Sequence, residues 1–409
     1  MRFCGALTHG HGRATGPSRR WISIAVPALL LGTLAACQPL ERQPTEIPFA
    51  RITIDENPPE RPWYKMAGDI NSDGLLDIVV AGARESLVAY LAPGWRRVEI
   101  AREGWSGVNG EIADLDGDGD RDIVMGSIVW LRNPGRADGT WEMVRIGHGE
   151  VHDIEIGDLN GDGRLDVVAR NQSAFRRSGD EPGGSIVYIY LQTETAVWET
   201  YKFDCPHGEG LDLADIDGDG DPDVILGGRW YENTGAVGAD SWTEHAYAAG
   251  WTEPDAKVEA ADLNGDGRLD VVLTPSELQG ETYKMAWYEQ PASGAAGNWR
   301  EHVIVPSIET VVHALGAGDI DGDSDLDIAY AEMHQGEDPD EVVILLNEGG
   351  GESWRKQVLS DDGSHDILLA DFDRDGDLDI AGANHAGTHP LEFWRNDRGG
   401  SAAPDKVPK

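Results

Sequence analysis

A nine-residue acidic segment recurs seven times along this chain, and a fixed internal period limits the fold more than any local preference does. The copies are DINSDGLLD from Asp69, DLDGDGDRD from Asp114, DLNGDGRLD from Asp158, DIDGDGDPD from Asp215, DLNGDGRLD from Asp262, DIDGDSDLD from Asp319 and DFDRDGDLD from Asp371. With the first Asp as position 1, oxygen side chains fall at 1, 3, 5 and 9, and position 6 is glycine in every copy except at Ser324. The side chains concerned are Asp69, Asn71, Asp73 and Asp77; Asp114, Asp116, Asp118 and Asp122; Asp158, Asn160, Asp162 and Asp166; Asp215, Asp217, Asp219 and Asp223; Asp262, Asn264, Asp266 and Asp270; Asp319, Asp321, Asp323 and Asp327; Asp371, Asp373, Asp375 and Asp379.

Calcium is a hard cation that takes about six to eight oxygens, and acidic loops supply them from positions 1, 3, 5, a backbone carbonyl and a later carboxylate. Glycine at position 6 allows the sharp turn such a loop needs. An EF-hand would follow with a helix. Here each loop runs into a β-branched apolar stretch such as DIVV, DVVA or DVIL, so the expected setting is a β-hairpin holding Ca²⁺, with up to seven sites. Ser324 marks the sixth loop as the expected weakest or most strained site.

The first aspartates are 45, 44, 57, 47, 57 and 52 residues apart, about the length of a four-stranded propeller blade. An aromatic residue keeps the same period ahead of each loop: Phe49, Trp95, Trp141, Trp198, Trp242, Trp299 and Trp354. Each unit reads as strand A, acidic loop, strand B, strand C and an aromatic-led strand D. The last unit has no D strand after Asn396, and residues 48 to 55 supply the missing one. The expected fold is all-β, a seven-bladed β-propeller closed by its N-terminal strand, which removes free sheet edges. Blades stacked on both sides also account for B strands that are apolar throughout.

The seven D-x-[DN]-x-D-[GS]-x-x-D loops resemble the FG-GAP/VCBS repeat family of integrin-type propellers, over roughly residues 47 to 396. The resemblance implies a seven-bladed propeller with calcium between strands A and B. It implies no single function, since the scaffold serves adhesion, sugar binding and catalysis alike.

Residues 19 to 37, RRWISIAVPALLLGTLAAC, combine two arginines, an apolar run too short for a membrane span and small residues before a cysteine. The end of this run resembles a bacterial lipobox, which implies cleavage before Cys37 and lipidation there. The expected order is a signal peptide over 1–36, a tether over 37–46, the propeller over 47–397 and a disordered tail over 398–409. The expected address is outside the cytoplasm, periplasmic or at the cell surface, with membrane contact through the lipid alone. A formal charge of −41 excludes nucleic acid as an electrostatic partner and favours cations.

With calcium on one face, the starts of the A strands and the B-to-C connections open on the other, where chemically able residues collect. His152, His313 and His365 stand near A-strand starts, with Trp63, Val108, Glu209 and Ala256 in the equivalent places. Arg170, Asn171, Arg176 and Arg177 follow the third B strand; Arg229 follows the fourth; Glu332 and His334 the sixth; Asn384, His385 and His389 the seventh. Histidine near neutrality serves as acid, base or metal ligand, and arginine grips carboxylates. This face is therefore expected to engage carbohydrate or another polar extracellular ligand.

The enzyme alternative is a polysaccharide lyase or sugar dehydratase, with His313, His365 and His152 as acid/base groups and Arg170 or Arg177 as carboxylate clamp. A third reading is an adhesion or assembly protein with a protein partner. The same histidines also suit a structural task, capping strand ends. A His-bound transition metal stays open, although no spacing tests it. Trp105 and Trp251, outside the D-strand series, are candidates for stacking on a ligand. His245 and His302, three residues after D-strand tryptophans, are expected on the outer-strand surface.

Overall fold

A computed structural model describes residues 46–82, 86–105, 109–149, 151–171, 184–238, 241–383 and 390–399. Cys37, Arg176, Arg177, Asn384, His385 and His389 lie outside them, as does Val108. Among the described residues there are 28 strands and no helix, and the strands form seven four-stranded antiparallel sheets in a ring, a seven-bladed β-propeller.

Strand β1 (Phe49–Asp55) belongs to the last blade, and blade 1 starts after it with β2 (Pro62–Gly68), β3 (Asp77–Gly82), β4 (Leu87–Leu91) and β5 (Arg96–Ala101). Blade 2 is β6 (Gly110–Ala113), β7 (Asp122–Met125), β8 (Val129–Arg132) and β9 (Glu142–Arg145). Blade 3 is β10 (Val151–Gly157), β11 (Asp166–Asn171), β12 (Ile186–Glu194) and β13 (Val197–Asp204). Blade 4 is β14 (Asp212–Ala214), β15 (Asp223–Leu226), β16 (Arg229–Asn233) and β17 (Trp242–Ala246). Blade 5 is β18 (Ala256–Ala261), β19 (Asp270–Pro275), β20 (Leu278–Glu289) and β21 (Arg300–Thr310). Blade 6 is β22 (Val312–Gly318), β23 (Asp327–Glu332), β24 (Val342–Asn347) and β25 (Trp354–Ser360). Blade 7 is β26 (Asp366–Ala370), β27 (Asp379–Ala383) and β28 (Leu391–Asn396), completed by β1.

The closure follows the sequence expectation. Strand β1 pairs antiparallel with β28, from Phe49 opposite Asn396 to Thr53 opposite Glu392, and Arg51 bridges to Glu392 at 2.7 Å. The first strands of successive blades touch one another all the way round, β26 returning to β2, and so enclose a central channel.

The apolar interior divides into seven clusters, and each draws its residues from two adjacent blades. One joins Val79 and Ile100 to Ile123 and Leu131, and another closes the ring by joining Ile78 and Tyr90 to Phe372 and Phe393. Burial between sheets explains why strands such as DIVVAG and DVVLTP are buried at every position. The D-strand tryptophans belong to this scaffold. Trp141, Trp299 and Trp354 donate their indole N–H to turn carbonyls of Ala137, Ala295 and Gly351 at 3.1, 2.7 and 3.0 Å.

His245 and His302 do lie on the outermost strands, yet they are not free surface residues. Their rings stack on Trp230 and Trp287 at 4.4 and 4.0 Å, and their Nε2 atoms meet Glu232 and Glu289 at 2.7 and 2.8 Å. Each imidazole covers an indole that would otherwise face water. At the C-terminal end, Gly399 donates its N–H to Asp377 at 2.7 Å and Arg398 pairs with the same carboxylate, so two residues of the expected tail are tied to the seventh loop.

Candidate functional site

Each acidic loop turns its backbone amides inward. In the first, Asp73 and Gly74 donate to the two carboxylate oxygens of Asp69 at 3.1 and 2.7 Å; the position-6 amide makes the same bond in the other six loops and the position-5 amide in four of them. The ninth-position aspartate has a bonding task that the sequence pattern does not reveal. Asp122 accepts from the amide of Leu115 at 3.1 Å and from Asn133 at the end of β8 at 2.7 Å, so one carboxylate ties the loop to the third strand. All seven copies do this, at 2.7 to 3.2 Å. Burial pushes these carboxyls up, Asp77 and Asp223 to about 7 and Asp122 to about 6.

The loops fit calcium on their own chemistry. In four of them, positions 1, 3 and 9 bring one carboxylate oxygen each within 4.8 Å of one another, as with Asp114, Asp116 and Asp122. Asp116, Asp319 and Asp373 each hold a buried carboxylate oxygen with no hydrogen-bond partner. Hard oxygen donors left unpaired in a tight cluster suit a hard cation.

On the other face, four blades send one side chain each toward the axis. His152 comes from β10, Glu209 from the connection before β14, Glu277 from the turn between β19 and β20, and His313 from β22. One ligand atom from each lies within 4.8 Å of the others. His152 Nε2 is 3.5 Å from Glu209, and His313 Nε2 is 3.1 Å from Glu277 and 4.0 Å from Glu209. Asp153 and the His365 carbonyl hold the outer nitrogens of the two rings: Nδ1 of His152 lies 3.0 Å from the Asp153 carboxylate, and Nδ1 of His313 lies 2.9 Å from the carbonyl. With both Nδ1 protons donated there, the Nε2 lone pairs face the cluster.

The backbone places Glu209 at close quarters. Gly208 and Gly210 flank it at φ of +148° and +86°, and a Cβ on either would lie 1.8 or 2.0 Å from the carbonyl oxygens of Pro254 or Ala256. Only glycine permits that approach, so the run Gly-Glu-Gly was the available sequence signal for this site. Arg170 locks the same segment. Its guanidinium donates to the carbonyls of Gly184, Pro206, Glu209 and Gly210 at 2.5 to 3.1 Å.

Burial dominates the electrostatics. It raises Glu209 well above the usual carboxyl range, with the Glu277 charge adding to it, and raises Glu277 to about 7. It lowers both His152 and His313, the latter with help from Lys257, so both imidazoles are neutral near pH 7. Lys257 Nζ sits 3.5 Å from Asp153. His313, Lys257 and Asp153 also line a cavity of about 210 Å³ on the channel, together with Tyr64, Glu155 and Glu259.

Some sequence-selected residues stand apart from this group. His365 packs its ring 4.2 Å from that of His313, beside the cluster. Asn171 accepts from the amide of Ile186 at 2.8 Å, and Arg229 pairs with Glu244 across the outer strands. Trp105 packs against the core between blades 1 and 2. Trp251 donates to the Glu253 carbonyl at 2.7 Å and meets Tyr283 edge-on at 4.9 Å. His334 lies in the turn after β23, and Glu332, raised to about 7 by burial, lines a second, open cleft of about 600 Å³ between blades 5 and 6. Glu277 and Lys257, which sequence reasoning missed, lie outside the repeated loop and carry no periodic signal.

The FG-GAP-like repeat profile matches residues 69–125, 114–169, 215–273, 262–330 and 319–382, more than half of the chain. No curated protein sequence matches. Among solved structures, BBS1N in complex with ARL6DN, in crystals soaked with mercury and with lead, has a TM-score of 0.51 at 10% identity, over 85% of this chain and 96% of that one. A rhamnogalacturonan lyase PL11 of Bacillus licheniformis has a TM-score of 0.45 at 14% identity, over 85% of this chain and 72% of that one. At such identity the BBS1N likeness is one of fold.

Proposed function

The chain belongs to the FG-GAP-like repeat family, and from that premise we propose that it is a calcium-stabilised propeller, exported and lipid-anchored through Cys37, that binds carbohydrate on the face opposite its acidic loops. The observation that carries this reading is the cleft of about 600 Å³ on that face, lined by Thr282, Ser307, Glu309, Tyr330, Glu332 and Glu341. Hydroxyls and carboxylates present acceptors to a polyol, and because Glu309, Glu332, Glu337, Asp338 and Glu341 outnumber Lys356 along the cleft, its field favours a neutral or amino sugar over a uronate.

The lyase alternative lacks its clamp among the described residues. Arg170 already commits four N–H donors to backbone carbonyls, so it offers no fork to a substrate carboxylate. Among the described residues, no feature of this face favours the protein-partner reading.

A glycan array probed with the calcium-loaded protein tests the proposal. Binding to neutral or amino sugars that weakens tenfold or more in Glu309→Ala and Glu341→Ala is the expected result. Silence across the array, or binding indifferent to both substitutions, overturns it. Export is tested separately by labelled palmitate incorporation, which Cys37→Ala should abolish.

A further inference from the structure

Two imidazoles and two carboxyl groups meet in one buried place, one ligand atom from each lying within 4.8 Å of the others. Each of the four groups turns lone pairs toward the same point, and burial removes the water that would separate them. Glu209 states the problem most sharply. It has no exposed surface, and neither of its carboxylate oxygens has a hydrogen-bond partner, although His152 and His313 face it at 3.5 and 4.0 Å. Lys257 contacts the Asp153 side of the cluster.

We propose that His152, Glu209, Glu277 and His313 form a binding site for one divalent first-row transition-metal ion of the zinc, manganese or iron class, distinct from the calcium loops.

Donor chemistry supports that class. Imidazole nitrogen suits zinc and iron and is a poor ligand for calcium, while the carboxylates supply charge and suit manganese. Ligands about 2.0–2.2 Å from a common ion sit roughly 3 to 3.5 Å from one another, close to the 3.1, 3.5 and 4.0 Å measured here. Small inward movements would complete the coordination.

The surrounding shell is also that of a metal site. Asp153 and the His365 carbonyl fix the two rings by their Nδ1 atoms, so that Nε2 is the ligating nitrogen in both. Arg170 and the two flanking glycines hold the Glu209 segment in place. His313 belongs both to the cluster and to the wall of the 210 Å³ cavity, so a bound ion would border the channel with room for an exogenous ligand. The proposal stands whether or not the neighbouring cleft binds sugar, and its test does not involve glycan.

The full mature chain, stripped of metal and returned to saturating Ca²⁺, would be titrated with Zn²⁺ and separately with Mn²⁺. One equivalent bound per chain on top of calcium is expected, and Glu209→Gln should weaken it at least a hundredfold while leaving calcium stoichiometry intact. Asp116→Asn, in a calcium loop, should leave the transition-metal equivalent unchanged. Cu²⁺ added to the wild-type protein gives a reading that needs no variant: its EPR spectrum should carry nitrogen hyperfine structure from two imidazoles. Failure of Zn²⁺ and Mn²⁺ to bind above calcium, an oxygen-only copper spectrum, or a folded Glu209→Gln that binds as wild type would each overturn the proposal, leaving a cluster that shares protons instead.

Discussion

Asn133 of blade 2 donates its side-chain N–H to the carbonyl of Ile70 in blade 1 at 2.9 Å, a bond that crosses the blade boundary. The same amide also reaches the Arg121 carbonyl of its own loop at 2.8 Å. Five further junctions repeat the arrangement, with Gln192 on Leu115, Asn233 on Leu159, Gln290 on Ile216, Asn347 on Leu263 and Asn396 on Ile320, at 2.7 to 3.0 Å. Blade 1 has Ala92 at this place, so its junction with blade 7 lacks the amide. There the buried Lys65 pairs with Asp366 across the inner strands instead.

These amides should matter to the cohesion of the ring. Asn233→Ala leaves the carbonyls of Leu159 and Pro222 buried and unpaired, at about 1–3 kcal/mol for each lost partner. A fall of about 2–4 kcal/mol in unfolding free energy is expected by urea denaturation, with Ala92→Asn giving no comparable loss. Unchanged stability in Asn233→Ala would show that apolar packing alone joins the blades.

The acidic loops differ in backbone conformation where their sequences depart from glycine. Ser324 has φ of +80°, beyond the left-handed region that a side chain tolerates best, whereas Ser72 and Arg374, at position 4 of the first and seventh loops, sit near +60°. The sixth loop is therefore the most strained, as expected, though not alone in using positive φ without glycine. Ser324→Gly should raise calcium affinity several-fold at one site and gain about 0.5–1 kcal/mol in the loaded protein. Exhaustive EDTA treatment should lower the melting temperature of both forms by ten degrees or more, because unpaired carboxylates are left crowded. Calorimetry in calcium and in chelator checks all three expectations, and equal melting points with and without metal would remove calcium from the account.

Period made the fold readable. Acidic loops, apolar B strands and aromatic-led D strands recur, so blade number, strand order and the closing role of residues 48 to 55 followed from repetition. The ninth-position aspartate was legible as a loop residue, but its two backbone bonds were not, since they depend on where β4, β8 and their equivalents end. The site on the opposite face is illegible for the opposite reason. His152, Glu209, Glu277 and His313 occur once each, in four blades, and only the ring brings them together. His152, Glu209 and His313 share one position relative to their loops, six residues ahead of the first aspartate, and that much was visible; Glu277 sits in a connection with no counterpart.

The channel wall gives a pH dependence. Glu111, Glu155, Asp212 and Glu259 stand on the inner strands of four successive blades, β6, β10, β14 and β18. Burial raises all four, Glu111 to about 7, Asp212 to about 6 and Glu259 to about 8, and their mutual repulsion adds to the rise in Glu155. The unfolded chain releases these protons near pH 4 to 4.5, while the folded chain keeps them to higher pH. Over that window the folded state holds more protons, so stability is greatest at the acidic end and falls as pH rises. At saturating calcium the melting temperature should drop by several degrees between pH 5.5 and 8.5, and Glu259→Gln should flatten the slope. A profile rising toward pH 8.5, or one unaffected by the substitution, would count against a protonated channel.

Arg170 should act as a positioning residue for the segment that carries Glu209. Lysine at this place keeps the charge but loses the planar fork, so at most one or two of the four carbonyls of Gly184, Pro206, Glu209 and Gly210 would remain bonded. Besides Arg170, the segment is held by the Glu209 amide, which donates to the Pro254 carbonyl at 3.3 Å, and by the Gly210 amide, which donates to the Asp153 carboxylate at 3.0 Å. Arg170→Lys is therefore expected to cost about 2–4 kcal/mol overall. The more discriminating reading is local: hydrogen exchange at the amides of residues 208–211 should speed up by tenfold or more, while β23 and β24 in blade 6 keep wild-type protection. Uniform loss of protection through the ring would make Arg170 an ordinary core residue, and an unchanged pattern would mean that Gly208 and Gly210 hold Glu209 in place without it.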